Sequence, residues 1–162
     1  MAVNAFVSFF DKADGESLQK GREKWVEIQS WDWEVEAETS WTKGGGASVG
    51  KPNPGKMNFE HYFDKASPAI MKFICQGKSF DSAELNMCKT TGGPIPEQYF
   101  KMTMKNSYIT KVATSGTEEG NVTQKVEFVF KEVFIEYRPQ KNDGKLDSAM
   151  KFHWNIPEGS VE

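Results

Sequence analysis

Apolar residues recur at every second position over most of this chain, the period of a strand with one covered face. The longest such run is 122–139, VTQKVEFVFKEVFIEYRP. Val126, Phe128 and Phe130 share one parity; beyond Lys131 and Glu132 the apolar set resumes at Val133, Ile135 and Tyr137, on the other. A period-two pattern changes parity only through an extra residue or a change of covered face. A β-bulge or sharp bend near Lys131 is therefore expected, carrying one long strand from one sheet to another. Pro139, which has no ladder donor, ends it.

The other segments follow the same logic. Residues 5–10 alternate as a first strand, and 11–21, with Asp14-Gly15-Glu16-Ser17, carry turn chemistry. Residues 24–39 read as one extended run, with Trp31, Trp33, Val35 and Ala37 on one face and Asp32, Glu34, Glu36 and Glu38 on the other. Five glycines and two prolines in 40–56 predict a long irregular excursion rather than a packed element. Residues 58–63 return to strand. Ser67-Pro68 opens the one convincing helix, with Ser67 as N-cap, an apolar stripe at Ile70, Phe73 and Ile74, and Gly77 as the left-handed terminator. Strands follow at 80–90 and 99–113, a hairpin turn at 114–121, and a last strand at 151–156 carrying Trp154. About seven strands and one helix in 162 residues predict a single domain spanning 1–162. Its class is mainly β: an antiparallel β-barrel of two packed sheets with one flanking α-helix and a long extended loop.

Composition narrows the function classes. Net charge is −3 with lysines scattered, so no basic face for nucleic acid is present. No apolar run reaches membrane-spanning length, and MAVNAFVSFF lacks the basic region and cleavage site of a signal peptide. Twelve Phe and five Trp suit a sheet core with surplus for an oligomer interface. The two cysteines, Cys75 and Cys88, are read as buried free thiols, and no metal cage or other cofactor site is expected.

Three motifs carry no chemistry. Residues 45–51 have the spacing of a phosphate-binding loop, but Pro52 stands where a magnesium-binding Ser or Thr belongs and no helix can follow Pro52-Asn53-Pro54-Gly55. His61 and His153 lie in separate strands without a nucleophile elbow; His61, beside Glu60 and Tyr62, is expected at a strand surface or half buried. Asn121-Val122-Thr123 is a glycosylation sequon by pattern alone. The acidic row differs. Neighbouring carboxylates at i and i+2 sit ~7 Å apart, at a cost of ~0.6 kcal/mol per pair in water. Calcium ligands come from turning loops rather than straight strands, which leaves a solvated strand face or a wall facing a water-filled space.

The chain resembles the haemolysin-coregulated protein (Hcp) family, the inner tube of the bacterial type VI secretion apparatus. The matching pieces run in the family's order: Met1-Ala2-Val3, Asp14-Gly15-Glu16-Ser17, Trp31-Asp32-Trp33, the glycine-rich loop, Asp64-Lys65-Ala66-Ser67-Pro68, Gly77-Lys78-Ser79-Phe80, Glu136-Tyr137-Arg138-Pro139-Gln140-Lys141, Asn142-Asp143-Gly144 and Trp154-Asn155-Ile156.

The resemblance implies a structural, non-enzymatic β-barrel that forms a homohexameric ring. Rings stack on copies of themselves, a contractile sheath drives the tube outward, a spike protein caps it, and effector cargo travels in the lumen. It implies a cytoplasmic protein that is then secreted without a cleaved signal peptide, with no cofactor, nucleic acid or membrane partner. The position between the two tryptophans faces the lumen, which places Asp32 there with Glu34 and Glu36. The long loop reaches the neighbouring ring, through Trp41, Lys43, Gly44, Gly45, Gly46, Val49 and Lys51. This chain departs from the family at Asp32, where relatives carry a small or uncharged residue, and at His153, where glycine is typical. The competing reading is a monomeric carbohydrate-binding β-sandwich, in which Trp25, Trp31, Trp33 or Trp41 would stack on sugar rings. A hydrolase would rest on the two histidines alone.

Overall fold

The computed structural model describes residues 3–41 and 47–162, the side chains of residues 3 and 40–49 aside. One long antiparallel strand, β8 (Glu97–Gly116), organises the rest. Along one edge it pairs with β7 (Ser79–Lys89), which pairs with β1 (Val3–Ser8), which pairs with β2 (Val26–Ile28). Along its other edge lie β9 (Val122–Val129) and β10 (Glu132–Tyr137) in succession. The far edge of β9 pairs with β6 (Met57–Tyr62), and β6 with β3 (Ser30–Asp32). The far edge of β10 pairs instead with β11 (Met150–Asn155) and then β12 (Ser160–Val161).

The long run 122–139 behaves as its parity predicts. Val126, Phe128 and Phe130 are buried, the ladder breaks at Phe130-Lys131, and Val133 is the next buried residue. The strand changes neighbour from β6 to β11 at that break, within one continuous ten-stranded sheet rather than between two separate sheets. β8 adjusts in step: its ladder to β9 shifts register between Ile109 and Lys111, and Asn106 adopts a left-handed φ of 55°. Closure comes from 26–32. There β2 pairs with β1 and β3 with β6, and Gln29 between them donates its N–H to Glu60 O at 2.8 Å. The circuit β8–β7–β1–β2–β3–β6–β9 returns to β8, the barrel expected from sequence, though 24–39 is broken at Gln29 and again at Trp33-Glu34.

The inside of this circuit is aromatic. Phe9 packs on Phe80 with ring centres 4.4 Å apart, and Phe59 and Phe128 meet edge to face at 6.2 Å. The helix α1 (Ala66–Gln76) plugs one end, burying Ile70 and stacking Phe73 on Phe80 at 4.1 Å. Trp33 packs against the core, 5.6 Å from Phe130 and 6.5 Å from Trp154, its indole N–H donating to Gly55 O at 3.1 Å. Gly77 terminates α1 in the left-handed region at φ 64°; its N–H reaches Ile74 O and that of Lys78 reaches Phe73 O, which pairs two of the helix's free carbonyls. The N-terminus corrects the sequence reading. Ser67 lies inside the first turn, and Asp64 does the capping: Oδ1 accepts from Ala66 N–H at 2.9 Å while Asp64 N–H donates to Ser67 Oγ at 3.0 Å.

Residues 40–56 also depart from expectation. β4 (Val35–Trp41) and β5 (Ala47–Pro54) pair as a two-stranded antiparallel sheet, so much of the predicted irregular excursion is ladder. Pro52 and Pro54 are tolerated because each strand here has a free edge on which a missing N–H goes unnoticed. Gly50 and Lys51 together oppose Glu38, a bulge.

Residues 14–25 fold back on themselves through backbone bonds from Gly15 N–H to Lys24 O at 2.7 Å and from Ser17 N–H to Trp25 O at 3.0 Å. They meet β1 and β7 through Asn4 Nδ2 to Gln19 Oε1 at 3.4 Å and Arg22 to Asn86 Oδ1 at 3.1 Å. A Cβ on Gly15 would stand 2.5 Å from Trp25 O and 2.8 Å from Val26 Cα, both backbone atoms. Gly15→Ala should therefore destabilise the protein by about 1–3 kcal/mol, the cost of overpacking, read as a lower urea midpoint with an unchanged slope.

Candidate functional site

The outer faces of β3, β6 and β9 are polar because their alternate residues fill the core. Met57, Phe59 and His61 point in, and Asn58, Glu60 and Tyr62 point out; on β9, Gln124, Val126 and Phe128 point in, and Lys125 and Glu127 point out. Across these strands Asn58 Nδ2 donates to Asp32 Oδ2 at 3.3 Å, Lys125 Nζ lies 4.0 Å from Glu60, and Lys56 Nζ lies 3.9 Å from Glu127. Between Asp32, Asn58, Glu60, Lys125 and Glu127 runs an open groove of about 450 Å³. These ion pairs are long and solvated, so they orient side chains without contributing much stability.

The three carboxylates that sequence placed in one row are all exposed but do not share one strand. Asp32 sits on β3 against Asn58, Glu34 falls in the break where its carbonyl accepts from Gly55 N–H, and Glu36 lies opposite Asn53 on the two-stranded sheet. Glu60 and Glu127, which line the groove beside Asp32, were missed by local spacing; cross-strand register supplies them. Of the expected inter-ring residues, Trp41 lies on β4 and Val49 on β5, Lys51 is exposed in the bulge, and Lys43, Gly44, Gly45 and Gly46 lie outside the described residues.

Trp31 and Trp33 offer no open platform. Trp31 stacks on Phe100 at 5.3 Å and gives its N–H to Met87 Sδ at 3.2 Å, and Trp33 is held by Phe130, Trp154 and Gly55. Cys75 corrects the reading of two buried thiols: it is exposed on α1, whereas Cys88 is buried, with its thiol pushed up by that burial. Among the described residues no group of three or more His, Cys, Asp or Glu could hold a metal ion, and no helix is long and apolar enough to cross a membrane.

Both histidines have structural partners. His61 is not at the surface but wholly buried, because β6 alternates Met57, Phe59, His61 inward; its Nε2 meets Gln124 Oε1 at 2.7 Å. The alternation with Met57 and Phe59 was the signal that could have placed it. His153 stacks flat on Phe134 at 4.1 Å, bonds Glu132 Oε1 through Nε2 at 2.6 Å, and lies 3.5 Å from Glu162 through Nδ1. Asp64, at the mouth of a groove near α1, is pushed up by burial, partly offset by His61 and reinforced by the nearby Glu16.

The described arrangement offers polar outer faces and free strand edges. The family model described as type VI secretion system effector, Hcp, matches residues 6–137. The chain belongs to the Hcp family. It is 34% identical to the protein hcp1 of Pseudomonas aeruginosa over 158 residues, 96% of each chain. Among solved structures it superposes on a type six secretion system protein with a TM-score of 0.90 at 24% identity, covering 99% of this chain and 100% of that one. Hcp1 from Salmonella typhimurium gives a TM-score of 0.76 at 27% identity with full coverage of both chains. These neighbours share the mainly β fold with its single helix. Hcp proteins are secreted structural components of type VI secretion, and the resemblance read from the motifs is the one these comparisons find.

In this Hcp chain, His153 stands where the resemblance led us to expect glycine, and it fastens the chain end: His153 and Glu162 exchange backbone bonds at 2.9 and 2.8 Å. The hydrogen bond to Glu132, helped by Glu162, raises the His153 pKa above its usual 6.5. A raised folded value means that the stabilisation is complete below 6.5 and is lost as pH climbs through the raised value. Amide exchange at His153 and Glu162 should accordingly rise with pH more steeply than base catalysis alone explains. His153→Gln should flatten that excess.

Proposed function

We propose that residues 1–162 act as one domain that assembles into a homohexameric ring, and that rings stack on copies of themselves into the tube of a type VI secretion system. The tube is driven by a contractile sheath behind a spike protein and carries effector cargo in its bore. The protein waits in the cytoplasm and is then secreted. Its role is structural and involves no catalysis. The observation that carries this reading is family membership across 6–137, together with the likeness to hcp1 along nearly the whole chain.

The fold supports it in two ways. The free edges of β4, β5 and β12 leave unpaired backbone groups, which neighbouring copies would cover. The outer face of β3, β6 and β9 has the polar alternation of a wall facing water, with Asp32 at its margin and Glu34 and Glu36 leading off along the hairpin. The β4–β5 hairpin, with Trp41, Val49 and Lys51 on it and Lys43–Gly46 between its strands, is the element that reaches the next ring. Repeated around a ring, Asp32, Glu34 and Glu36 make the bore acidic, which favours basic or neutral cargo and repels acidic cargo.

Negative-stain electron microscopy and light scattering of the purified protein should give annular particles of about six subunits, as closed heterologous contacts require; a monomer at every concentration would end the reading. Asp32→Lys should lower retention of a basic cargo in a pull-down by about tenfold, the effect of ~1.4 kcal/mol. Unchanged retention would remove Asp32 from the cargo surface.

A further inference from the structure

The two ends of α1 open onto grooves of opposite character. At its start, a groove of about 170 Å³ is bounded by the carboxylates of Glu16, Glu27 and Asp64 and by the rings of Tyr62 and Phe63, which are 53% and 40% exposed. Among the described residues no lysine or arginine comes within ion-pair distance of these three carboxylates. Behind them the wholly buried His61 turns its Nδ1 toward Asp64 Oδ1 at 3.8 Å, and that nitrogen has no hydrogen-bond partner. Asp64 is held up by burial and by the charge of Glu16. Three carboxyl groups are gathered here around aromatic rings with no lysine or arginine paired to them among the described residues.

At the other end of α1, beyond Gly77, a groove of about 440 Å³ is bounded by Lys12, Lys78, Phe73 and Tyr108, with Asp81 as its one carboxylate. Phe10, 48% exposed, lines an adjoining hollow that shares Lys12 and Asp81. Lys12 and Lys78 are likewise in no ion pair among the described residues. With 11 residues in the helix the two grooves lie about 16 Å apart. The helix itself carries no acid in its first turn and no base in its last; its dipole, positive at the start and negative at the end, favours the carboxylates beside its start and the lysines beside its end.

We propose that these grooves are the two halves of a head-to-tail contact between copies of this chain, the acidic aromatic groove of one copy receiving Lys12 and Lys78 of the next. A heterologous contact needs two different patches on each subunit, one to give and one to receive. An ammonium set between carboxylates and ring faces gains both charge-assisted hydrogen bonds and cation–π attraction. The inference rests on the ring reading above and names a surface that joins its subunits.

The test is a charge swap. Glu16→Lys with Glu27→Lys gives a chain basic at both grooves, and Lys12→Glu with Lys78→Glu gives one acidic at both. All four side chains are exposed, and circular dichroism checks that each variant is folded. Each variant alone should lose at least tenfold of its assembled fraction by light scattering. A one-to-one mixture should recover it, because alternating copies restore opposite charges at every contact in an even-numbered ring. Raising salt should weaken assembly of the unmodified protein. If the unmodified protein assembles and either variant alone assembles as well, or the folded variants fail to recover on mixing, the contact is elsewhere and only this inference falls. If the unmodified protein never assembles, the ring reading falls first and takes this with it.

Discussion

A sheet that bends back on itself must keep one face dry along its whole length, and strict alternation cannot do that around a corner. Each corner needs a residue that breaks parity. β8 and the run opposite it solve this together: the break at Phe130-Lys131 lets Phe130 and Val133 both point inward, while Asn106 and the register shift at Ile109/Lys111 set Met104 across from Val133 and Ile109 across from Phe128. Burying Phe9, Phe59, Phe80 and Phe128 together supplies a driving force of about 2–3 kcal/mol per ring, and it is available only if both parity breaks occur. Every outward-facing position, including the polar groove beside Asp32, is assigned by the same event.

What sequence could read follows from which interactions are local. The parity change at Lys131 is visible because it lies within one strand, and Gly77 is visible because a left-handed helix end favours a residue without Cβ. The cap was misplaced because Ser67 and Asp64 both qualify chemically, and the reciprocal bonds between them decide in favour of Asp64. The β4–β5 ladder was hidden by Pro52 and Pro54, which argue against a central strand but not against one with a free edge. His61 is buried with its parity mates Met57 and Phe59, although its sequence neighbours Glu60 and Tyr62 suggest a surface position. Cys75, on the far side of α1 from Ile70, is exposed for the complementary reason.

The candidate site was legible in part. Asp32 emerged from Trp31 and Trp33, whose rings are drawn into the core and so turn the residue between them outward. Extending that face to Glu36 assumed that the strand continues. It stops at Trp33-Glu34, where Trp33 donates to Gly55 O and Glu34 accepts from Gly55 N–H, so the chain leaves the barrel and becomes the hairpin. The neighbours that do share the face, Asn58, Glu60, Lys125 and Glu127, arrive from two other strands through register. That is non-local information carried by the pairing of β6 with β3 and β9.

The helix shows how a small element can serve two purposes. Its apolar stripe is spent on the barrel end, through Ile70 and through Phe73 on Phe80. Its ends are therefore fixed in orientation with respect to the sheet: the Asp64 carboxylate is held by its capping bonds, and the backbone of Lys78 by its N–H bond to Phe73 O. Side chains that start from a fixed backbone have fewer positions to lose when a partner arrives than those on flexible loops, whose backbone must first be ordered. The same hydrogen bonds that begin and end α1 thus hold two unlike-charged patches at a set distance, which is what a surface needs if many identical copies are to meet in one orientation.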